Sequence, residues 1–389
     1  MIARIFIPIL LAIVLPDLYF EIHYLRCRPS LKWWQRLLWW SPTIVLTAYS
    51  ICLASIHNFV PDDLRWLNVY LFLVGLIIVP KAVFALCSGI GWYISHRRRL
   101  VLNYGNAVGT VLVVFFWIVL LYGSTIGPRQ LTVKHENLYF RDLPKGFEGY
   151  KIVQFTDMHL GTFYRLNRSF PARVADSIMA QRADMIVFTG DLQNLMPKEL
   201  LYFKKEMSSL RAKDGVFSIL GNHDYSEYVK AAPNLKKQYE RQTQAEERNF
   251  GWTLLMNENR VIRRGQDSLV IAGEENYGTE VFPHYADLNK TVKGIKNNAF
   301  MIMLQHEPGA WRGDLEMTCS AQLTLSGHTH GGQIDLFGLR PTHLEGQDDR
   351  GLYMKDNKML YVSSGVGGVV PFRFGVKPEI VVITLHRIK

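Results

Sequence analysis

Four apolar stretches fill the first third of this 389-residue chain, at roughly Ile2–Tyr24, Leu37–Ile56, Leu67–Ile94 and Ala107–Ile126. Each is near or above the ~20 residues a helix needs to cross a bilayer. Within lipid a single segment can satisfy its own backbone N–H and C=O groups only as a helix. The stretches follow one another across short basic or polar gaps, which suits membrane spans better than buried core helices. No small-residue cleavage site follows the first stretch, so it reads as a retained anchor and not as a removed signal peptide.

The gaps carry an orientation signal. Arg26, Arg28, Lys32 and Arg36 lie in the first gap and Arg97, Arg98 and Arg99 in the third, whereas the second offers Asp62 and Asp63 against Arg65. Basic loops stay cytoplasmic, so both termini, and everything after the last span, are expected on the extracytoplasmic side. Trp33-Trp34 and Trp39-Trp40 fit an interfacial aromatic belt. Two ionisable residues fall inside spans, Asp17 and Lys81, each at a depth of roughly 20 Å from the outer end at ~1.5 Å per residue. Burying either alone is costly. Either they pair, or a span boundary lies elsewhere and one of them reaches the interface.

Charge and cysteine usage narrow the partners. Residues 1–128 hold 10 Lys+Arg and 4 Asp+Glu, so +6 of the net +10 belongs to the membrane part and 34 basic against 30 acidic residues leave +4 beyond it. Most of the excess is explained by membrane orientation, which argues against nucleic acid as partner. Cys27, Cys52 and Cys87 sit in or beside the spans and Cys319 is alone in the remainder, so that part has no internal disulfide.

Five clusters of metal-type ligands run through the rest: Asp157-Met-His159, Gly190-Asp191, Gly221-Asn222-His223-Asp224, His306 and Gly327-His328-Thr329-His330. Each follows an apolar run that reads as a buried strand, and open α/β sheets gather their ligands beyond strand ends. Oxygen and imidazole donors without thiolate suit Mn, Fe, Zn, Ni or Co. In an extended strand Asp157 and His159, two apart, would point the same way. Glycines before Asp191, Asn222 and His328 allow a sharp turn and close approach to an ion. Two ions ~3.5–4 Å apart can hold a bridging hydroxide and clamp phosphate oxygens during in-line displacement, and Asp191 is the natural bridge. A single histidine at a strand end is usually structural, and Gly-Asp or Asp-X-His alone carries little. The order of all five clusters is what makes the signal. His23, His57, His96, His135, His284, His343 and His386 lack such company and read as ordinary.

On these residues the sequence resembles the calcineurin-like metallophosphoesterase family, from about Tyr150 to Leu385. Ser326-Gly-His-Thr-His-Gly-Gly-Gln-Ile334, Tyr361-Val-Ser-Ser-Gly365, Arg373-Phe-Gly and Pro378-Glu-Ile380 resemble its membrane-anchored bacterial branch, whose relatives include UDP-diacylglucosamine pyrophosphatases. The resemblance implies a first divalent metal on Asp157, His159, Asp191 and His330, and a second on Asp191, Asn222, His306 and His328. It also implies that His223 faces the substrate phosphate and that Asp224 orients its ring. An adjacent carboxylate would fix the tautomer of His223 and raise its basicity. Where relatives often carry a second acidic residue after Gly-Asp, this chain has Asp191-Leu-Gln-Asn194.

The expected plan is a transmembrane module at 1–128, a linker and first strand at 129–149, and the catalytic domain at 150–389. Strands are expected at Gln130–Phe140, Lys151–Thr156, Met185–Thr189, Val216–Leu220, Leu269–Ala272, Phe300–Gln305, Gln322–Leu325 and Leu360–Val362. Helices are expected at Ser169–Gln181, Lys198–Arg211 and Gln238–Arg248. Alternation alone gives a layered α/β domain. The resemblance sharpens this to a four-layer α-β-β-α sandwich after four transmembrane helices. It implies a membrane-anchored phosphoesterase acting on a phosphoester or pyrophosphate, with a lipid-linked substrate favoured by the tether to the bilayer. Two other functions fit the same residues. One is a nucleotide phosphodiesterase or nuclease, which would want a basic groove. The other is a non-catalytic metal-binding module, which would be expected to lack ligands or His223.

Overall fold

The computed structural model describes residues 2–56, 58–61, 63–278 and 284–388, so His57, Asp62 and Lys389 lie outside the described residues. The chain forms two compact units, Met1–Ile126 and Gly127–Lys389.

Among the described residues, four helices are long and apolar enough to cross a membrane, at Phe6–Leu25, Trp33–Ala54, Leu64–Arg98 and Tyr104–Arg129. The second begins ahead of the apolar run because Trp33 and Trp34 form its first turn, where the Lys32 N–H donates to Gln35 Oε1 at 2.9 Å. The third, at 35 residues, far exceeds the ~20 a bilayer core requires. It contains a wide turn at Val74–Ile78 immediately before Pro80. A proline lacks an N–H and its ring crowds the preceding turn, and such wide turns absorb that disturbance within a continuing helix.

Asp17 and Lys81 pair inside the first unit. Lys81 Nζ lies 2.9 and 3.0 Å from the two carboxylate oxygens, Trp39 Nε1 donates to Oδ1 at 3.0 Å, and the Thr43 hydroxyl donates to Oδ2. The ammonium also sits 4.8 Å from the Trp39 ring centroid. A fully buried carboxylate is thus met by a cation and two neutral donors, the condition under which a buried ion is tolerated.

The second unit is built on two six-stranded sheets. The first runs β1 (Thr132–Phe140), β12 (Glu379–Arg387), β2 (Tyr150–Phe155), β3 (Met185–Phe188), β4 (Val216–Ser218) and β5 (Thr253–Leu254). The second runs β10 (Gly351–Lys355), β11 (Lys358–Val362), β9 (Leu323–Ser326), β8 (Phe300–Leu304), β7 (Asp267–Gly273) and β6 (Glu258–Arg264). Pairing from β2 through β5 is parallel, as is pairing from β7 through β8 and β9 to β11. Both central sheets therefore end on the edge where the ligand clusters begin.

Strand periodicity makes the layers. In β2, Ile152 points into the cluster between the sheets with Met185, Val187, Ile302 and Leu325, while Val153 and Phe155 point to the outer helices. The outer cluster holds Phe170, Val174 and Ile178 from the helix Phe170–Ala180. Trp311 and Leu315 cover Met301 and Met303 on the other side. Burying such side chains stabilises by about 1.5–3 kcal/mol each. The result is the four-layer α-β-β-α sandwich.

Two expectations are corrected. Lys198–Arg211 is not one helix but two short ones, Lys198–Leu201 and Lys204–Met207. The chain leaves helical geometry at Phe203 (φ −125°), whose ring is fully buried in the outer cluster. The C-terminal strand β12, absent from the expected set, is inserted between β1 and β2. It pairs parallel to β1 over nine residues and antiparallel to β2.

Candidate metal centre

Every cluster follows the C-terminal end of a strand: Asp157 and His159 after β2, Asp191 after β3, Asn222 and His223 after β4, His306 after β8, His328 and His330 after β9. Strand alternation does not bring Asp157 and His159 together, because both lie past the strand. Asp157, His159, Asp191, His328 and His330 all adopt positive φ, between 47° and 72°. Non-glycine residues there are uncommon, and such strain concentrates where function imposes it. The backbone turns sharply at each of these five residues.

Glycine is required by crowding between two of these turns. A Cβ on Gly221 would lie 2.2 Å from Asp191 Oδ1, and one on Gly190 (φ +97°) would lie 2.6 Å from the Gly221 N.

The side chains converge. Asp157, His159 and His330 each offer one ligand atom with all three within 4.8 Å of one another, as do Asp191, His306 and His328. His223 joins His159 and Asp191 at the same range. Asp191 Oδ2 lies 3.3 Å from His306 Nε2 and 3.6 Å from His159 Nε2, and Asp157 Oδ1 lies 3.7 Å from His330 Nε2. Asn222 Oδ1 and His328 Nδ1 are 3.0 Å apart.

Hydrogen bonds on the far side of the rings set their tautomers. A carbonyl only accepts, so His306 donates Nδ1–H to Thr189 O at 2.7 Å and turns its Nε2 toward Asp191. Asn194 donates its amide to Thr162 Oγ1 and therefore presents Oδ1 to His159 Nδ1 at 2.9 Å. His159 Nε2 and Asp157 Oδ1 are left buried without a hydrogen-bond partner. Leaving such atoms unmet costs about 1–3 kcal/mol each, and a cation between them removes that cost.

Electrostatics agree with a cation site. Burial pulls the His159 and His328 imidazoles down to about 3 and His330 well below its ordinary value, so these rings are neutral, as ligation requires. Burial also acts to lower His306, but the facing Asp191 carboxylate outweighs it and raises the ring to about 10. Burial pushes Asp157 up to about 6, against the pull of His306. The carboxylates favour positive charge beside them, which the raised His306 meets in part and a divalent ion would also supply. The donor set fits a divalent metal.

Asp224 stands elsewhere than expected. Its carboxylate accepts from the backbone N–H of Asp191 (2.8 Å), Leu192 (2.9 Å), Gln193 (3.2 Å) and Gly221 (2.9 Å). It fastens the loop that carries Asp191 to the loop that carries Asn222. The His223 ring instead donates Nδ1–H to the Asn194 carbonyl at 2.7 Å. The carboxylate is committed to four amides and the ring turns the other way.

Sequence reasoning missed two residues. Asn194 holds His159 through its side chain and His223 through its carbonyl, at the position where relatives often carry acid. That departure in Asp191-Leu-Gln-Asn194 was the available signal. Tyr228 accepts from Asn222 Nδ2 at 2.9 Å and stacks on His223 with centroids 4.2 Å apart; six residues past Asn222, it carries no motif. Arg373 braces the turn that carries His330. It is buried and donates to His330 O (2.9 Å), Ser364 O (2.8 Å) and Gly367 O (2.6 Å).

Comparison with known proteins matches this organisation. Residues 150–332 match the calcineurin-like phosphoesterase family, and residues 3–128 match the family described as a probable calcineurin-like phosphoesterase transmembrane domain. The chain is 30% identical over 271 residues to the uncharacterized metallophosphoesterase YkuE of Bacillus subtilis (68% of this chain, 88% of that one). It is 31% identical over 260 residues to an uncharacterized metallophosphoesterase of Aquifex aeolicus (66% and 92%). A transmembrane protein with metallophosphoesterase domain from Danio rerio is 27% identical over 337 residues (82% and 72%). With four helices able to cross a membrane and a centre suited to divalent metals, the chain belongs to the calcineurin-like metallophosphoesterase family and is a membrane-associated phosphoric ester hydrolase.

Proposed function

We propose that the protein hydrolyses a phosphoester or pyrophosphate bond in a lipid-linked substrate, on the extracytoplasmic side of the membrane. In this reading one metal is held by Asp157, His159, Asp191 and His330 and a second by Asp191, Asn222, His306 and His328. Two divalent ions there supply Lewis-acid polarisation of phosphoryl oxygens and activation of the attacking water.

The chain's own groups do the rest. With its Nδ1–H given to Asn194 O, His223 can exchange a proton only through Nε2. That atom stabilises charge on the phosphoryl group or protonates the leaving oxygen as general acid. The Tyr228 ring covers one face of this imidazole and limits its rotation. Asp224 keeps the Asp191 and Asn222 turns at fixed separation through its four amide bonds.

The observation that carries the reading is the pinned His223 ring within 4.8 Å of the His159 and Asp191 ligand atoms. The membrane part supports the choice of a lipid-linked substrate, and the basic first and third gaps support the topology.

The full-length protein, purified with Mn²⁺, tests this against bis-p-nitrophenyl phosphate, p-nitrophenyl phosphate, a lipid-linked pyrophosphate and single-stranded DNA. Turnover of the lipid substrate well above the others is expected. Preferential cleavage of DNA would replace this reading with a nuclease. A phosphatase fused after Lys389 should be active outside the cytoplasm, and activity only inside would reverse the topology.

A further inference from the structure

We propose that Gln193, held in turn by Thr243 of the helix Pro233–Asn249, is the positioning residue that sets His223 at the metal centre. The helix then bears on the chemistry although it carries no proposed ligand. This rests on the reading of His223 as the proton-exchanging group.

The segment from Asp191 to Asn194 grips His223 at three places. Asp191 Oδ1 accepts the His223 N–H at 2.9 Å, the Asn194 carbonyl accepts its ring Nδ1–H at 2.7 Å, and Gln193 Nε2 donates to its carbonyl at 3.1 Å. Two of these grips are shared with the metal centre, since Asp191 is itself a proposed ligand and Asn194 also holds the His159 ring. Gln193 is different. Its side chain bonds to His223, Asp224, Ser226 and Thr243, none of them a proposed ligand.

The surroundings fix which end of the Gln193 amide faces which partner. Carbonyls only accept, so the nitrogen faces His223 O, and it also donates to Ser226 Oγ at 2.9 Å. Ser226 has φ +57°, a conformation uncommon outside glycine, so the chain bends sharply just after His223. Gln193 ties both ends of that bend. Its oxygen then faces the helix, where the Thr243 hydroxyl donates to Oε1 at 2.9 Å. The same hydroxyl lies 3.1 Å from the Tyr239 carbonyl one turn back. With a single hydrogen to give, turning to Tyr239 would leave a buried amide oxygen unmet. Gln193, Ser226 and Thr243 are all fully buried. A surface helix ordinarily seats an apolar stripe, yet the buried residues of this one are Thr243 and Glu247.

Deleting the Gln193 donor therefore loosens the His223 backbone while the Asp191 and Asn194 contacts stay. Displacement of a reacting group by 1 Å can cost about 10²-fold in rate.

The test uses the full-length protein with Mn²⁺. Gln193→Met keeps the side-chain length but cannot donate; Thr243→Val keeps the shape without the hydroxyl, and Thr243→Ser retains the hydroxyl. The substrates are bis-p-nitrophenyl phosphate, whose leaving group departs as an anion, and diphenyl phosphate. The phenoxide of the latter resembles a tyrosine side chain, with a pKa of about 10, and needs a proton. Gln193→Met is expected to lower kcat on diphenyl phosphate by about 10²-fold, with KM and metal content unchanged and little effect on bis-p-nitrophenyl phosphate. Thr243→Val should show the same selectivity to a smaller degree, and Thr243→Ser should stay near wild type. In a His223→Ala background, Gln193→Met should cause no further loss. Equal losses on both esters, loss of bound metal, or a further loss beyond that of His223→Ala would each overturn the proposal. Full turnover by His223→Ala alone would instead overturn the reading of His223, and the proposal with it.

Discussion

The His223 imidazole donates through Nδ1 to the backbone carbonyl of Asn194 at 2.7 Å, and the Asn194 side chain holds the His159 ring at 2.9 Å. One residue therefore orients both a ring proposed for chemistry and a ring proposed as ligand. The two functions separate under substitution. His223→Ala removes the proton-exchanging ring without touching the ligand set. It is expected to lower kcat by about 10²–10⁴-fold while metal content, read by elemental analysis, stays at the wild-type level. Unchanged turnover would remove His223 from the chemistry.

Asn194→Ala keeps the carbonyl that His223 uses and deletes the oxygen that His159 uses. The expected outcome is a metal affinity weaker by about 10–100-fold, typical when the outer partner of a metal-bound histidine is lost. Asn194→Asp retains an acceptor at that place and should restore most of it. Metal titration followed by calorimetry distinguishes the pair, and equal affinities for both variants would mean that the His159 contact is incidental.

Metal removal should cost stability as well as activity. Asp157 Oδ1 and His159 Nε2 lack hydrogen-bond partners, and Asp191 stands within 3.3 Å of the His306 ring nitrogen. Binding of Mn²⁺ at 100 times its Kd is expected to add about 2.7 kcal/mol per site. A chelator should lower Tm, and readdition should restore it. Asp191→Asn, which weakens both proposed sites, should abolish turnover and flatten this response. A Tm independent of metal would argue that the cluster is held by protons alone.

How much of this was legible follows from what each feature is made of. The seven proposed ligands could be read from the chain because Asp, His and Asn are metal-type donors and because β2, β3, β4, β8 and β9 are apolar runs that announce their own ends. The orientation of His223 could not, since its partner is a backbone carbonyl, which every residue possesses. Asp224 was misread for a related reason. Adjacency to His223 suggested a contact, but the Asp224 carboxylate is taken by four backbone amides, which are as invisible in the sequence as the Asn194 carbonyl. The position of β12 between β1 and β2 depends on pairing across more than two hundred residues, which local patterning does not encode. The pairing of Asp17 with Lys81 was legible only as one of two outcomes, because burying either ion alone is costly but a shifted span boundary would have relieved the same cost; the structure shows the pair.

Glu199 gives the protein a pH response outside the metal centre. It accepts from the Asn194 N–H at 2.6 Å and the Leu195 N–H at 3.0 Å, and burial outweighs these bonds to push its carboxyl up to about 7 from an ordinary 4.5. The folded state therefore binds more protons than the unfolded state between about 4.5 and 7. Stability should fall as pH rises through that window, by about 3 kcal/mol in total. Glu199→Gln, which has no proton to lose, should flatten that part of the stability profile. Thermal melts at intervals from pH 4.5 to 8 in chelator would reveal it, and parallel profiles for the two proteins would mean that Glu199 stays ionised.

Asp17 and Lys81 provide the corresponding test in the membrane part. Removing one partner of a buried pair costs about 3–5 kcal/mol because the other charge is left uncompensated. Trp39 and Thr43 still donate to Asp17 when Lys81 is gone, so Lys81→Met should fall at the lower end of that range. Asp17→Asn leaves the ammonium with the Trp39 ring face and should fall at the upper end. The double variant should be more stable than the sum of the single losses implies, by about 1–3 kcal/mol of coupling. Unfolding in mixed micelles measures all four proteins. Strict additivity would show that the two side chains, although 2.9 Å apart, contribute independently.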